Sequence, residues 1–203
     1  MIRYTYINHM VLKTYERMKR IVFPLDPRMI VENIPNCKYL SYQEFAAKYG
    51  CTIQDVIDMC ESNSGCTHFD ASSNRFLILC NQSMENNNNL GRQRWTCSHE
   101  IGHVLCGHHI AATYDKLAEH NMMHIENKIF ESEADYYAAT LLSPFPLYKV
   151  LGIRSVIDVQ NVFGLSCEAS LYRYKQYLKW RTDHQKSAWE NDMVKVYLQK
   201  RAG

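Results

Sequence analysis

Arg92-Gln93-Arg94-Trp95-Thr96-Cys97-Ser98-His99-Glu100-Ile101-Gly102-His103 contains the pentapeptide H-E-x-x-H. At about 100° per residue, positions four apart share one helix face, so both imidazoles can reach a single divalent ion with the glutamate close by. Those residue types suit zinc. Neutral imidazole is a good zinc donor, the ion lowers the pKa of a water it holds toward ~7, and a neighbouring carboxylate can take the proton. The spacing therefore assigns His99 and His103 as metal ligands, Glu100 as general base and one Zn2+ ion as cofactor. Ile101, Val104 and Leu105 flank the motif, which predicts a helix buried on one side and offering ligands on the other.

A peptidase-type zinc site takes three protein ligands and keeps one position open for water. A second helix is predicted over about 126–142, ended by Pro144, and it carries Glu131 and Glu133. Phe130, Ala134, Tyr137 and Leu141 recur at i, i+4, i+7 and i+11 and mark its core face; Glu131, Asp135 and Ala138 form the stripe beside it. This favours Glu131 as third ligand and Asp135, one turn on, as the carboxylate that accepts an N–H from a ligating histidine. Glu133, about 200° from Glu131, is the fallback ligand, with a solvated acid or a partner of Arg92 or Arg94 as the plainer reading. His108, His109, His120 and His124 lie in or near the connection between the helices. A third imidazole from the extended H-E-x-x-H-x-x-G-x-x-H pattern is not expected, because Cys106 stands where glycine is needed. One of these histidines, or Tyr136, is a candidate for stabilising an oxyanion, and spacing does not choose among them.

Upstream, Leu12, Tyr15, Met18 and Ile21 recur at helical spacing until Pro24 and Pro27. Ser41 followed by Glu44 is a capping-box pattern for a helix to Lys48 with Gly50 as its stop, and Thr52 to Cys60 predicts another. Cys66–Asp70 and Arg75–Cys80, around the turn-like Ala71-Ser72-Ser73-Asn74, predict a hairpin, and residues 85–89 an exposed loop. Downstream, helices are predicted over Ser155 to Phe163 and, after Gly164 and a Ser166 cap, Cys167 to about Arg181, followed by a charged segment to Gly203. The organisation expected is an N-terminal helical region (1–64), a zinc peptidase core (65–146) and a C-terminal helical region (147–203), forming one compact unit.

Composition narrows the class. The 203 residues are long enough to bury a core without disulfides, and a formal charge of +2 is too weak to imply nucleic acid or membrane as main partner. Residues 1–19 mix charges with apolar residues, unlike a signal peptide, and no stretch nears the ~20 apolar residues needed to cross a bilayer, so a cytoplasmic location is expected. The eight cysteines form no C-x-x-C pair and read as reduced core residues.

The segment 92–103, taken with Glu131-Ser132-Glu133-Ala134-Asp135-Tyr136-Tyr137-Ala138-Ala139-Thr140-Leu141-Leu142-Ser143-Pro144, resembles the ImmA/IrrE family of bacterial metallopeptidases. That family pairs R-x-R-F-T-x-x-H-E-x-G-H with E-x-E-A-N/D-x-F-A-A-x-L-L-M-P, a gluzincin-like combination; here Trp95 and Tyr137 replace Phe and Ser143 replaces Met. The resemblance covers roughly residues 65 to 180 and supports Glu131, the first acid of E-x-E-A-D, as third ligand. It implies an α+β, mostly helical zincin-like fold, with a small antiparallel β-sheet beside the H-E-x-x-H helix and a C-terminal helical part. It also implies cleavage of a specific intracellular protein, often a helix-turn-helix repressor encoded by a phage or mobile element. Strand Arg75–Cys80, with Phe76 and Ile78, is then the candidate edge on which a substrate segment is added as a strand.

Residues 158–177, with Val159, Val162, Phe163, Gly164, Ala169, Leu171 and Tyr172, resemble a helix-turn-helix whose second helix holds Arg173, Lys175 and Lys179, as in a DNA-binding regulator. Alternatively the chain binds zinc without turnover and acts by sequestering a repressor.

Overall fold

The computed structural model describes residues 1–83, 90–111, 116–118, 125–183 and 187–201; the loop expected at 85–89, His120 and His124 lie outside the described residues. In chain order the elements are α1 (Tyr4–Arg17), α2 (Pro27–Val31), β1 (Cys37–Ser41), α3 (Tyr42–Tyr49), α4 (Ile53–Cys60), β2 (Gly65–Asp70), β3 (Arg75–Cys80), α5 (Leu90–Leu105), α6 (His108–Ala111), β4 (Lys116–Ala118), α7 (Ile125–Leu142), α8 (Phe145–Tyr148), α9 (Val156–Phe163), α10 (Cys167–Asp183) and α11 (Ala188–Lys200). The class is α+β and mostly helical, as the sequence predicts.

Local chemistry accounts for the starts of α3 and α4. Ser41 accepts from the Glu44 N–H and Glu44 reaches back to the Ser41 N–H, so two orphan donors of α3 are satisfied; Thr52 and Asp55 do the same for α4. The first helix departs from its predicted course. It stops at Arg17, and Met18 and Ile21, expected on its apolar face, are buried from a non-helical segment whose Ile21 N–H donates to the Lys200 carbonyl. Helical spacing there reflects core contact, not helix.

The sheet corrects two expectations. Its strand order is β1-β3-β2-β4, with β2 antiparallel to β3 and β4, but β1 parallel to β3, so the sheet is mixed and not wholly antiparallel. In consequence β3 is an inner strand. Ile78 is paired with Tyr39 on one side and Thr67 on the other, and Phe76 with Cys37 and Phe69. Both rows of its backbone groups are spent, so the strand of Phe76 and Ile78 cannot receive a substrate strand. The edges among the described strands are β1 and β4.

The core lies between the sheet and the C-terminal helices, with α5 through its middle. Every residue from Thr96 to Val104 is buried, so this stretch of α5, which holds the motif, is enclosed on all sides and not on one face only, while Leu90 at the helix start is exposed. On α7, Ala134, Tyr137 and Leu141 are fully buried and Phe130 partly so. Helix α1 lies along α7: the Tyr15 hydroxyl donates to the Leu141 carbonyl at 2.6 Å, and the Thr14 and Tyr137 hydroxyls are 2.8 Å apart.

The α9–α10 corner exists, joined at Gly164 in the left-handed region (φ +62°). Its faces differ from those of a recognition helix. Leu171 and Tyr172 are exposed, while Arg173 is buried, stacked 4.0 Å from the Phe145 ring and donating to the Ser143 carbonyl at 2.6 Å. One of the three cations assigned to a DNA-facing stripe therefore belongs to the core, which counts against that reading. All eight cysteines carry free thiols. Among the described residues no helix is long and apolar enough to cross a membrane.

Candidate metal centre

Helices α5 and α7 pack against each other, and the contact brings three donors together. His99 Nε2 lies 3.0 Å from His103 Nε2 and 3.0 Å from Glu131 Oε2, and His103 Nε2 lies 3.3 Å from Glu131 Oε1. Tetrahedral zinc with bonds of about 2.0–2.1 Å keeps its ligand atoms about 3.3 Å apart, so the triangle has the right size for one small ion. His99, His103 and Glu131 form the potential metal-ion group found among the described residues. The two imidazoles are buried and the Glu131 side chain is 13% exposed, which leaves the acid as the side of approach from solvent.

The donor chemistry fits as well as the spacing. Asp135 Oδ1 is 3.0 Å from His99 Nδ1, and because a carboxylate only accepts, Nδ1 carries a hydrogen; Nε2, which faces Glu131, is the atom an ion would take in exchange for its proton. Burial pulls the His99 imidazole down, but its hydrogen bonds to Asp135 and Glu131 prevail and hold it up at about 10. Burial, helped by the charge on His99, lowers His103. Burial also pushes the Glu131 carboxyl up, and the two imidazoles outweigh this and hold it at about 2. The imidazoles diverge because His99 has two carboxylate partners, Asp135 and Glu131, while His103 is buried with the charge of His99 beside it. Three inward-facing donors that must share a cation are what a divalent ion would satisfy.

Glu100, between the two histidines, is fully buried, and its Oε2 accepts from the Thr67 hydroxyl of β2 at 2.6 Å. The sheet thus orients this carboxylate through Thr67, which belongs to no motif in the sequence. Alternation along β2 is the one signal that could have found it, since Thr67 is a polar side chain on the strand's inward face.

Glu133 is turned away from the triangle. It is neither solvated nor paired with Arg92 or Arg94: Arg92 reaches Ser64, Arg94 reaches the Gly164 carbonyl, and Glu133 is buried against Arg3 and His108. The partner comes from the far end of the sequence, so neighbouring arginines misled. Tyr136 donates to Asn8 Oδ1 at 3.0 Å, and His108 is engaged on both nitrogens; neither is directed at the open side of the triangle. Gly107, in the left-handed region at φ +72°, makes the turn from α5 into α6 that carries His108 back against His103.

Burial pushes the Glu133 carboxyl up, yet bonds from Arg3 and His108 overcome it and hold it at about 2. A carboxyl depressed in the folded state adds stability above the ordinary glutamate range and loses it as pH falls toward that value. Arg3→Met is therefore expected to lower Tm at pH 7, and the gap to wild type should close as the pH approaches 2. Thermal scans across that range check it; a gap that persists at the acid end would assign the loss to packing.

No curated protein matches the chain. The family model of the IrrE N-terminal-like domain, Peptidase_M78, matches residues 68–175, just over half of the chain, from β2 through both helices of the triangle into α10. The chain is thus a member of this metallopeptidase family, the ImmA/IrrE family.

Proposed function

We propose that the protein is a zinc-dependent endopeptidase that cleaves a specific intracellular protein, a helix-turn-helix repressor encoded by a phage or mobile element. The observation that carries the catalytic part is the triangle of His99, His103 and Glu131 with Glu100 in the same helical turn. The substrate class rests on the family alone.

His99 Nε2, His103 Nε2 and a Glu131 oxygen are the atoms that would hold the ion. When bound, zinc supplies Lewis acidity toward a peptide carbonyl and toward water. Asp135 keeps the His99 hydrogen on Nδ1, so that Nε2 faces inward. Thr67 holds the Glu100 carboxylate by Oε2. Glu100 takes a proton from the attacking water as its oxygen bonds to the scissile carbon, then delivers that proton to the departing amine nitrogen, leaving two chain ends. With β3 internal, a substrate laid on the sheet as a strand would meet the outer edge of β4, which neighbours the strand of Thr67, whereas β1 is two strands away from β2.

The test is direct. The purified protein with one equivalent of zinc is incubated with the helix-turn-helix protein encoded in the adjoining reading frame, and fragments are identified by mass spectrometry. A single defined cut that disappears with chelator supports the reading. An intact repressor bound in a stable complex would favour sequestration instead.

A further inference from the structure

A second chain of hydrogen bonds reaches the triangle through His103. His103 Nδ1 lies 2.9 Å from His108 Nδ1, and His108 Nε2 lies 3.1 Å from Glu133 Oε2. Glu133 in turn accepts from the Arg3 main-chain N–H at 2.8 Å, from Arg3 Nε at 3.0 Å and from Nη2 at 2.5 Å. The same Nη2 donates to the Cys106 carbonyl at 3.0 Å. His103, His108 and Glu133 are all buried, and Arg3 is the N-cap residue of α1.

Hydrogen-bond accounting gives this chain a direction. A carboxylate only accepts, so His108 Nε2 carries a hydrogen. The Glu133 charge is already matched by the Arg3 guanidinium, and a second buried cation beside His103 would be unmatched. His108 is then neutral, with its lone pair on Nδ1. The 2.9 Å contact needs one donor, and His103 Nδ1 has to supply it. This leaves the lone pair of His103 on Nε2, the atom facing His99 and Glu131. If Glu133 did not fix His108, the two Nδ1 atoms could exchange roles and put a hydrogen on His103 Nε2, where an ion would have to sit.

We infer that Arg3, Glu133 and His108 form a positioning relay that holds His103 in its metal-binding tautomer, tying the start of α1 to metal retention. The inference rests on the metal reading above and deepens it: Asp135 serves His99, and this relay serves His103. A purely structural pairing of Arg3 with Glu133 would support the packing of α1 on α7 without setting the tautomer.

The test has two parts. In the metal-free wild-type protein, nitrogen-15 NMR of the imidazoles should show the His103 hydrogen on Nδ1; finding it on Nε2 overturns the relay whether or not any variant folds. In chelator competition, His108→Phe keeps a ring to stack on Phe130, now at 4.6 Å between centroids, but offers no acceptor. It should bind zinc about 10–100-fold more weakly than wild type. His108→Asn returns a carbonyl oxygen near the place of Nδ1 and should recover most of that loss. A folded His108→Phe with wild-type affinity, or a His108→Asn as weak as His108→Phe, would overturn the relay. Wild-type protein that takes up no zinc would instead remove the metal reading itself, a result that the metal-free tautomer measurement keeps separate.

Discussion

Glu100→Gln is expected to keep zinc at wild-type stoichiometry and to lose peptide hydrolysis by about 10²–10⁴-fold, the range that a positioned general base contributes. The amide is nearly the shape of the carboxylate, and its oxygen can accept the Thr67 hydroxyl that now meets Oε2 at 2.6 Å. The helix and the three donors should therefore stay in place. What the amide cannot do is take a proton from water. Metal content by mass spectrometry and kcat on the repressor, measured on the same preparation, check the two halves separately. Loss of zinc together with activity would give Glu100 a structural role, and unchanged kcat would place the base elsewhere. The variant also divides the enzyme from the sequestering protein: a repressor relieved by Glu100→Gln as well as by wild type would show that binding is enough.

The juxtaposition of the donors was legible because each step is local. His99 and His103 are one helical turn apart, and Glu131 shares a stripe with Asp135, so helix geometry alone brings the right side chains to one side of each helix. The ends of α3 and α4 were legible for the same reason, since a capping box closes within four residues. What failed was non-local. Strand β1 pairs in parallel with β3 across the whole of α3, α4 and β2, and nothing in the five residues Cys37–Ser41 announces a partner so far along the chain. Without β1, the strand of Phe76 and Ile78 read as an edge. The partner of Glu133 was hidden in the same way, because Arg3 stands 130 residues before it and a charged residue has no periodic signature. Thr67 is a further case: a threonine in a strand is ordinary until a buried carboxylate is found against it. Motif and period located the chemistry, while topology decided what supports it.

Gly102→Val is expected to lower stability by about 3 kcal/mol and to weaken zinc binding, although residue 102 supplies no ligand. A Cβ at Gly102 would stand 3.0 Å from Ala134 Cα, 3.2 Å from the Ala134 carbonyl oxygen and 3.2 Å from Tyr137 Cδ1. Two of these atoms are backbone of α7, and Tyr137 is a fully buried ring, so none can yield cheaply. Helix propensity acts the other way, because replacing glycine within a helix recovers up to about 1 kcal/mol of backbone entropy. For Gly102→Ala the gain offsets part of an overpacking cost of about 1–3 kcal/mol, and the net loss should be small. Valine brings two more carbons and a lower helix propensity than alanine, so the cost prevails. Relief requires α5 and α7 to part. The same separation moves His99 and His103 away from Glu131, since the donors sit on the two helices being pushed apart. Tm and zinc affinity should thus fall together from Gly102→Ala to Gly102→Val. Should the valine protein melt like wild type, or melt lower while holding zinc as tightly, the close approach of α5 to α7 would not be what sets the size of the triangle.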